Sequence, residues 1–287
     1  MNLSFKPQRV NRIIQYPENK QGRDFVVGDI HGCLDVLHRA LKALHFQPTV
    51  DRLFSVGDLV DRGPHSLACL GLLKMPWFHA VMGNHESFLI RHLSNPELYG
   101  PADKGWLDES GQTFTERKTL AKTWLPYLYN MPYVIQVGGL NGFQIVHAEL
   151  LEDGLSVSNE MVTNWSFIDK RKATERALGG RSLIKAWQTG RQVLRAHEQD
   201  LRITYCGHTI VHAPLQLARQ IYLDGGAFLG HTHQQIAETG MYAVLGKPTK
   251  PGLFFAEPQQ QRFWLAPTLP KGGLNIEPIE LMIPDTH

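Results

Sequence analysis

Three short apolar runs near the beginning of the sequence each end in a glycine that is followed directly by a polar residue. The polar residues are Asp29, Asp58 and Asn84, and successive members lie 29 and 26 residues apart. That spacing is close to the length of one strand–helix–strand unit. Because the carboxyl ends of parallel strands meet at one edge of a sheet, the pattern predicts a parallel sheet that gathers all three side chains.

Strand and helix patterns alternate over this first part of the sequence. Buried strands are predicted at 24–28, 52–57 and 77–83, because each is a short apolar run that ends at a glycine. Between them, the apolar spacing over 33–46 indicates an amphipathic helix, and a short apolar helix is predicted over 65–74. Strands that alternate with helices in this way favour βαβ units and a parallel core sheet.

The remaining sequence predicts a helical insertion and a second sheet. Residues 87–132 are helix-rich and polar, and we expect them to form a cap over the first sheet. A β-hairpin is predicted over 133–148, and further helices are predicted over 150–200. Short strands dominate from about 202 to 266, where a second, largely antiparallel sheet is expected. The predicted fold is therefore a two-sheet α/β sandwich, with residues 1–287 as a single domain that carries a helical cap insertion.

Composition argues against several other classes of protein. The formal net charge is +2, so the sequence lacks the broad basic field that is typical of nucleic-acid binding. No apolar run reaches the roughly 18 residues that a membrane-spanning helix needs, and the beginning of the sequence lacks the apolar core of a secretory signal. The three cysteines are few and widely spaced, which predicts a cytoplasmic protein without structural disulfides.

Three histidines join the three polar residues as candidate metal ligands. His31 lies on the loop that follows Asp29, and His147 and His208 lie at the ends of two later predicted strands. The six candidates are Asp29, His31, Asp58, Asn84, His147 and His208. Because this set exceeds what one ion needs and a carboxylate can bridge, it predicts two divalent metal ions. Mixed nitrogen and oxygen ligands suit manganese, iron or zinc, and manganese is our first expectation.

The predicted pair of ions suggests the chemistry. Two ions held about 3.5–4 Å apart can clamp the attacking and leaving oxygens of an in-line displacement at phosphorus. Two divalent ions that face two aspartates leave the site with a net positive charge, which would attract a phosphate dianion. A water between such ions would lose its proton near neutral pH. The residues therefore predict metal-dependent hydrolysis of a phosphomonoester.

The ordered motifs "GDIHG", "GDLVDRG", "GNHE" and "GHT", with His147 between the last two, resemble the signature of the metallophosphoesterases. Within that superfamily the sequence resembles the Ser/Thr phosphoprotein phosphatases, in particular the bacterial and phage lambda-type branch. The resemblance runs from about residue 24 to 229 and ends with "IYLDGGAFLG". It implies the αββα sandwich of the calcineurin-like type. It also implies that the six candidate residues ligate metal and that Asp58 bridges the two ions.

The resemblance also implies roles for residues beside the ligands. It makes His85 the general acid and Asp61 the partner of that histidine. It implies that Arg62 holds the substrate phosphate, which suits a guanidinium because its fork can bind two phosphate oxygens at once. The protein is then expected to act by in-line attack of a hydroxide held by the two metal ions.

A second phosphate-binding arginine is expected from the resemblance, although its position is less well defined. Relatives often read "LWGRS" in this region, and "LGGRS" at 178–182 places Arg181 there. Because Gly179 stands where those relatives have tryptophan, Arg171 and Arg176 remain alternatives. Either of these two would be equally well explained as part of a solvated helix face.

The implied function is a Ser/Thr protein phosphatase with a phosphorylated protein or peptide as substrate. The alternative is a dinucleoside polyphosphate hydrolase, for example a diadenosine tetraphosphate hydrolase, because those enzymes share the same core. They tend to carry Asp after "GNH", where this sequence has Glu86. A third possibility is a phosphoprotein-binding pseudoenzyme, which should have lost a ligand or the acid, whereas this sequence retains all of them.

Cys33 and Arg39 have the Cys-x5-Arg spacing of a cysteine-dependent phosphatase. The loop of such an enzyme wraps backbone N–H groups around phosphate and normally needs glycine. The residues between Cys33 and Arg39 contain no glycine and have helical periodicity. A helix is therefore predicted here, and no phosphocysteine intermediate is expected.

Overall fold

The computed structural model describes residues 12–94, 119, 122–151, 157–165, 169–191, 201–231, 250–268 and 276–284. The described strands are β1 Ile13–Tyr16, β2 Asp24–Val27, β3 Arg52–Ser55, β4 Phe78–Ala80, β5 Val134–Val137, β6 Phe143–Val146, β7 Ile203–Ile210, β8 Leu215–Leu217, β9 Gln220–Asp224, β10 Gly252–Glu257, β11 Arg262–Pro267 and β12 Glu277–Pro278. The described α-helices are α1 Leu34–Ala43, α2 Ser66–Leu70, α3 Asn84–Ser94, α4 Leu125–Tyr129, α5 Asn159–Asn164, α6 Lys170–Gly179 and α7 Ser182–Gln188. Short 3₁₀ helices cover Gly71–Lys74 and Ala227–Gly230.

The first sheet contains the three predicted parallel strands. Its strand order is β12-β11-β10-β2-β3-β4, and both the β2–β3 and the β3–β4 pairs are parallel. Each of these strands is followed by one of the helices α1, α2 and α3, so the predicted alternation of strands and helices is confirmed. The carboxyl ends of β2, β3 and β4 consequently lie side by side at one edge of the sheet.

The second sheet differs from the prediction in its membership. Its order is β1-β5-β6-β7-β9-β8, and the predicted hairpin is present as the antiparallel pair β5–β6. Of the strands that the structure describes over 202–266, β7, β8 and β9 belong to this sheet, whereas β10 and β11 extend the first sheet beside β2. Three pairs are parallel, β1–β5, β6–β7 and β7–β9, so the sheet is mixed. A predicted strand over 241–246 lies outside the described residues.

The burial of β10 explains why the sequence pattern predicts the wrong sheet for this strand. Every residue of Gly252–Glu257 is buried, so the strand has no polar face to show which sheet it covers. In the fold, Phe255 packs into the cluster that contains α1 and Phe254 packs into the cluster between the sheets. A continuous apolar run is equally compatible with either sheet.

Two apolar clusters hold the layers together. One lies between the first sheet and helices α1 to α3, where Phe25 and Leu37 are fully buried. The other lies between the two sheets and continues to α5, α6 and α7, where Phe54, Phe143 and Ile184 are buried. The described part of the chain is therefore the predicted sandwich of two sheets with helices on the outer faces.

Of the predicted cap over 87–132, only the beginning and the end are described. Helix α3 continues to Ser94, and α4 follows at Leu125–Tyr129. The hydroxyls of Ser94 and Tyr129 are 2.6 Å apart, and this hydrogen bond joins the two helices.

None of the described helices has the length and apolarity needed to cross a bilayer. All three cysteines lie among the described residues, where they are buried and form no disulfide.

The Asp51 carboxylate fixes the beginning of the first sheet. It accepts hydrogen bonds from the backbone N–H groups of Arg23 at 2.8 Å and Gln47 at 3.0 Å, and it pairs with the Arg23 guanidinium at 2.6 Å. Burial alone would raise the pKa of Asp51, but these hydrogen bonds outweigh it and hold the pKa below its usual value. The ionised carboxylate therefore stabilises the folded state.

We expect Asp51→Asn to lower the free energy of unfolding by about 2 kcal/mol near neutral pH, because hydrogen bonds to a charged group are lost. Since the folded pKa lies below the unfolded value of about 3.9, the stabilisation is complete above that pH and is lost as pH falls through the folded pKa. Urea unfolding at several pH values should show the two proteins converging below about pH 4. The exposed variant Glu175→Gln is the control, and a pH-independent gap would contradict the prediction.

Candidate metal centre

The loops after β2, β3 and β4 bring Asp29, Asp58 and Asn84 to one edge of the first sheet. Two glycines allow the backbone of neighbouring segments to approach the carboxylates. A Cβ atom added to Gly83 would collide with Asp58 Oδ1, and one added to Gly207 would collide with Asp29 Oδ1. Glycine is required at both positions because any side chain would displace these carboxylates.

Asp58 lies at the centre of the site, between imidazole rings. Its Oδ2 atom is 3.5 Å from His31 Nε2, 3.4 Å from His147 Nε2 and 3.8 Å from His85 Nε2. Among the described residues, the groups that could hold an ion are His31 with Asp58 and His85, and Asp58 with His147 and His208. Because both groups use Asp58, one carboxylate serves two neighbouring positions.

Hydrogen bonds to backbone carbonyls fix the tautomers of two histidines. His31 Nδ1 donates to Val60 O at 2.8 Å, and His147 Nδ1 donates to Val56 O at 2.9 Å. A carbonyl can only accept, so the proton is on Nδ1 and the neutral ring carries a lone pair on Nε2. Burial lowers the pKa of both rings, which keeps them neutral. Both Nε2 atoms therefore have the electronic form of a metal ligand.

His208 completes the second group. Its Nδ1 atom and His147 Nε2 are each 2.9 Å from Asn84 Oδ1, which places three donor atoms around one point. Burial, together with the neighbouring His147, lowers the pKa of His208 to about 2. An amide oxygen facing two imidazole nitrogens is an arrangement that a transition-metal cation fits. These residues therefore fit a divalent metal ion.

Asp29 lies beside both ligand groups without belonging to either. Both of its carboxylate oxygens accept a hydrogen bond from the backbone N–H of His208, at 3.1 Å each. Burial and the adjacent charges of Asp224 and Asp58 raise the pKa of Asp29 well above its usual value. Three buried carboxyl groups this close together repel one another, and a cation would relieve that repulsion.

His85, a member of the first group, and Arg62 lie next to each other beside His31. His85 Nδ1 is hydrogen-bonded to Asp61 Oδ2, and although burial opposes the charged form, Asp58 and Asp61 together raise the pKa of His85. Arg62 reaches His31 Nε2 at 2.9 Å and His85 Nε2 at 3.1 Å, and its guanidinium lies 4.6 Å from the centre of the Phe228 ring. Arg62 therefore occupies the nitrogen that His31 would offer to a metal.

Three buried acidic residues near the site were not recognised as part of it from the sequence. They are Glu86, Glu149 and Asp224. Glu86 and Glu149 each follow a predicted ligand by two residues, and Asp224 is the last residue of β9, which pairs with the strand that carries His208. These positions are the signal that the sequence offers. An acidic side chain in an otherwise apolar stretch is almost never buried without a specific partner.

Glu86 organises the loop that carries Asp58. Its carboxylate accepts hydrogen bonds from the backbone N–H groups of Asp58 at 2.9 Å, Leu59 at 2.7 Å and Gly83 at 2.9 Å. Burial, with the charge of Asp58, raises the pKa of Glu86 to about 7. Because the Glu86 side chain is buried and bonded to backbone N–H groups, a substitution of Glu86 would alter the site through the backbone of this loop.

The three candidate arginines occupy very different positions. The Arg181 guanidinium donates to the backbone carbonyl of His208 at 3.1 Å, at the edge of the site. Arg171 is 88% exposed and pairs with Glu175 on the outer face of α6. Arg176 is half-buried near the end of α6. Arg181 is therefore bonded to a residue of the candidate site, whereas Arg171 faces the solvent.

The Cys-x5-Arg pair does not form a catalytic loop. Cys33 is fully buried just before α1, its thiol donates to the carbonyl of His31, and burial raises its pKa well above the usual value. The Arg39 guanidinium donates to the backbone carbonyl of Thr268 at 3.1 Å. A neutral, buried thiol is a poor nucleophile.

Comparison with known proteins gives one consistent superfamily. The family model described as calcineurin-like phosphoesterase matches residues 25–235. Serine/threonine-protein phosphatase 1 of Salmonella typhimurium is 40% identical over 136 residues, which cover 45% of this chain and 60% of that protein. Serine/threonine-protein phosphatase 2 of the same organism is 30% identical over 212 residues, which cover 71% of this chain and 87% of that protein.

Two further matches broaden the comparison. A symmetrical bis(5'-nucleosyl)-tetraphosphatase of Dechloromonas aromatica is 50% identical over 68 residues, which cover 23% of this chain and 25% of that protein. The structure of a protein serine/threonine phosphatase from Saccharomyces cerevisiae superimposes with a TM-score of 0.51 at 15% identity, covering 94% of this chain and 84% of that chain. The structural likeness concerns the fold alone.

We expect Asp58→Asn to reduce manganese binding more than Asn84→Ala does. The Asp58 carboxylate is shared by both ligand groups, whereas the Asn84 amide contacts ligands of one group. Equilibrium dialysis followed by metal analysis measures the bound manganese, and Asp35→Asn, outside both groups, is the control. Unchanged metal content in Asp58→Asn would contradict the assignment.

Proposed function

This chain belongs to the calcineurin-like phosphoesterase family, and we propose that it is a metal-dependent Ser/Thr protein phosphatase. The observation that supports this best is the position of the Asp58 carboxylate, which two groups of ligand atoms share. His85 and Arg62 lie next to it, so an acid and a phosphate-binding group accompany the candidate metal positions. This combination is what hydrolysis of a phosphate ester requires.

Two divalent ions, with manganese as the first expectation, are the cofactors of this proposal. The first would be held by Asp29, His31 and Asp58, and the second by Asp58, Asn84, His147 and His208. When bound, the ions would offset the charge of the phosphate and supply a nucleophilic water near neutral pH. The neutral imidazoles and the buried carboxylates described above support this ligand set.

Arg62 is proposed to bind the phosphate of the substrate. In the described conformation its guanidinium donates to His31 Nε2 and lies beside His85 Nε2. A phosphate dianion would compete for the same guanidinium, because charge-assisted bidentate hydrogen bonds are stronger than neutral ones. Transfer of Arg62 to the phosphate would free His31 for its ion and would allow His85 Nε2 to carry a proton.

His85 is proposed to be the general acid, with Asp61 as its partner. The Asp61 carboxylate accepts the Nδ1 hydrogen, which leaves the opposite nitrogen for the proton that the leaving oxygen receives. A serine or threonine alkoxide is a very poor leaving group, so this proton is needed in the transition state. General acids contribute about 10²–10⁴-fold to the rate.

The substrate is proposed to be a phosphorylated protein or peptide. The match to serine/threonine-protein phosphatase 2 of Salmonella typhimurium covers 71% of this chain, whereas the match to a tetraphosphatase of Actinobacillus pleuropneumoniae covers 43% and the match to that of Dechloromonas aromatica 23%. The alternative, hydrolysis of a dinucleoside polyphosphate, is favoured by the high identity of that shorter match. A cytoplasmic location and the lack of nucleic-acid and membrane partners remain predictions from the sequence.

Substrate comparison tests this proposal. With manganese, we expect kcat/KM for phosphoserine and phosphothreonine peptides to exceed that for diadenosine tetraphosphate by about tenfold or more, a difference of about 1.4 kcal/mol in transition-state binding. A phosphotyrosine peptide measures the breadth of the site. Protein stripped of metal by chelation is the control and should be inactive. The reverse preference would support the tetraphosphatase alternative, and full activity without metal would contradict both.

We expect His85→Asn to reduce turnover of phosphoserine peptides strongly, by about 10²-fold or more, because the leaving alkoxide loses its proton donor. The loss should be much smaller for p-nitrophenyl phosphate, whose phenolate leaves without protonation. Steady-state kinetics under conditions where chemistry limits turnover make the comparison, and metal analysis checks that manganese is retained. An equal loss with both substrates would assign His85 to positioning of the phosphate or of the water.

A further inference from the structure

The buried carboxylate of Glu149 binds the beginning of helix α7. Glu149 has no exposed surface, and its oxygens accept hydrogen bonds from Leu183 N at 3.1 Å and Ile184 N at 3.2 Å. They also accept from the hydroxyls of Ser182 at 3.2 Å and Tyr222 at 2.7 Å. A buried carboxylate is tolerated only when it is satisfied in this way, so these four donors fix its position.

The same segment of chain also holds the end of helix α6. Ala148 N donates to Ala177 O at 2.8 Å, and Glu149 N donates to Arg176 O at 3.3 Å. The two residues after His147 therefore bind the last turn of α6 through their backbone and the first turn of α7 through a side chain. Arg181 lies between these two anchored helices.

The junction between the helices is short and has no side-chain cap of its own. Gly180 is the C-cap of α6, and Arg181 occupies the N-cap position of α7 without making a side-chain capping hydrogen bond. Glu149 takes over that function from another element, because its carboxylate satisfies the free N–H groups of the first turn. A Cβ atom on Gly180 would lie 2.7 Å from Arg176 O and 3.1 Å from Glu149 Cβ, so the junction is also closely packed against Glu149.

We propose that Glu149 is a positioning residue that sets the location of the Arg181 guanidinium relative to the metal ligands. Arg181 donates to His208 O at 3.1 Å and to Thr209 Oγ1 at 3.2 Å, and these short bonds require the beginning of α7 to stay in place. Glu149 follows His147 by two residues, so one rigid segment connects a ligand with the phosphate-binding arginine. The inference rests on the proposed role of Arg181 in binding phosphate.

The test compares Glu149→Gln with the matched control Glu175→Gln, which makes the same chemical change in an exposed side chain of α6. Glutamine keeps the size of the side chain but replaces one carboxylate oxygen by an NH₂ group. That group cannot accept a hydrogen bond from the surrounding donors. Calorimetry with inorganic phosphate on the full-length, manganese-loaded protein measures phosphate affinity directly. We expect Glu149→Gln to weaken phosphate binding by about tenfold, which is the scale of one lost hydrogen bond to a charged group. The KM for a phosphoserine peptide should rise by about the same factor, and the manganese content should be unchanged. Glu175→Gln should match the unaltered protein.

A double-mutant cycle with Arg181→Ala separates positioning from a merely structural role. If Glu149 acts through Arg181, Glu149→Gln should weaken phosphate binding by less than about twofold when Arg181 is already alanine. Full additivity, loss of manganese from Glu149→Gln, or a lowered Tm with unchanged phosphate affinity would each overturn the inference.

One outcome distinguishes this inference from the proposed function. If Arg181→Ala itself leaves phosphate binding unchanged, the proposed role of Arg181 is wrong and the inference fails with it, while the tests of Asp58 and His85 are unaffected.

If Glu149→Gln does not fold, Tyr222→Phe and Ser182→Ala each remove one donor to the carboxylate. Each should then weaken phosphate binding by about two- to threefold, as expected for one lost neutral hydrogen bond, and no change in both would overturn the inference.

Discussion

The negative charge of Asp58 is the element around which the site is assembled. Three imidazole nitrogens lie within 3.8 Å of its Oδ2 atom, and its Oδ1 atom accepts the backbone N–H of His85 at 3.0 Å. Such a carboxylate must be buried and held in a backbone conformation that is unfavourable for aspartate, with a φ of +49°. Glu86 stabilises this conformation because its carboxylate accepts hydrogen bonds from the backbone N–H groups of Asp58 and Leu59.

The site thus has two kinds of buried acid with different tasks. Asp58 and Asp29 face the position where cations are expected, whereas Glu86 and Glu149 face backbone N–H groups of the protein. The second pair fixes the loop and the helix that carry the candidate phosphate-binding arginines. Geometry at the phosphate therefore depends on carboxylates that the phosphate does not touch, which is how a rigid site is built.

The sequence predicted those parts of the structure that depend on local pattern. The glycine-polar spacing correctly placed Asp29, Asp58 and Asn84 at neighbouring strand ends, because strand length and crossover length are local properties. It could not place β10 beside β2, because a strand buried on both faces has no polar side to orient it. It also gave no role to Glu149, since the helix that this side chain binds begins more than thirty residues later.

The insertion of β10 beside β2 makes the site a late product of chain synthesis. Val27 pairs with Phe255, and Gly28 N, directly before Asp29, donates to Phe254 O at 3.1 Å. On a ribosome, the edge of β2 would stay open until β10, at Gly252–Glu257, had emerged. Pairings between such distant segments fold slowly and leave unpaired edges exposed to other chains in the meantime.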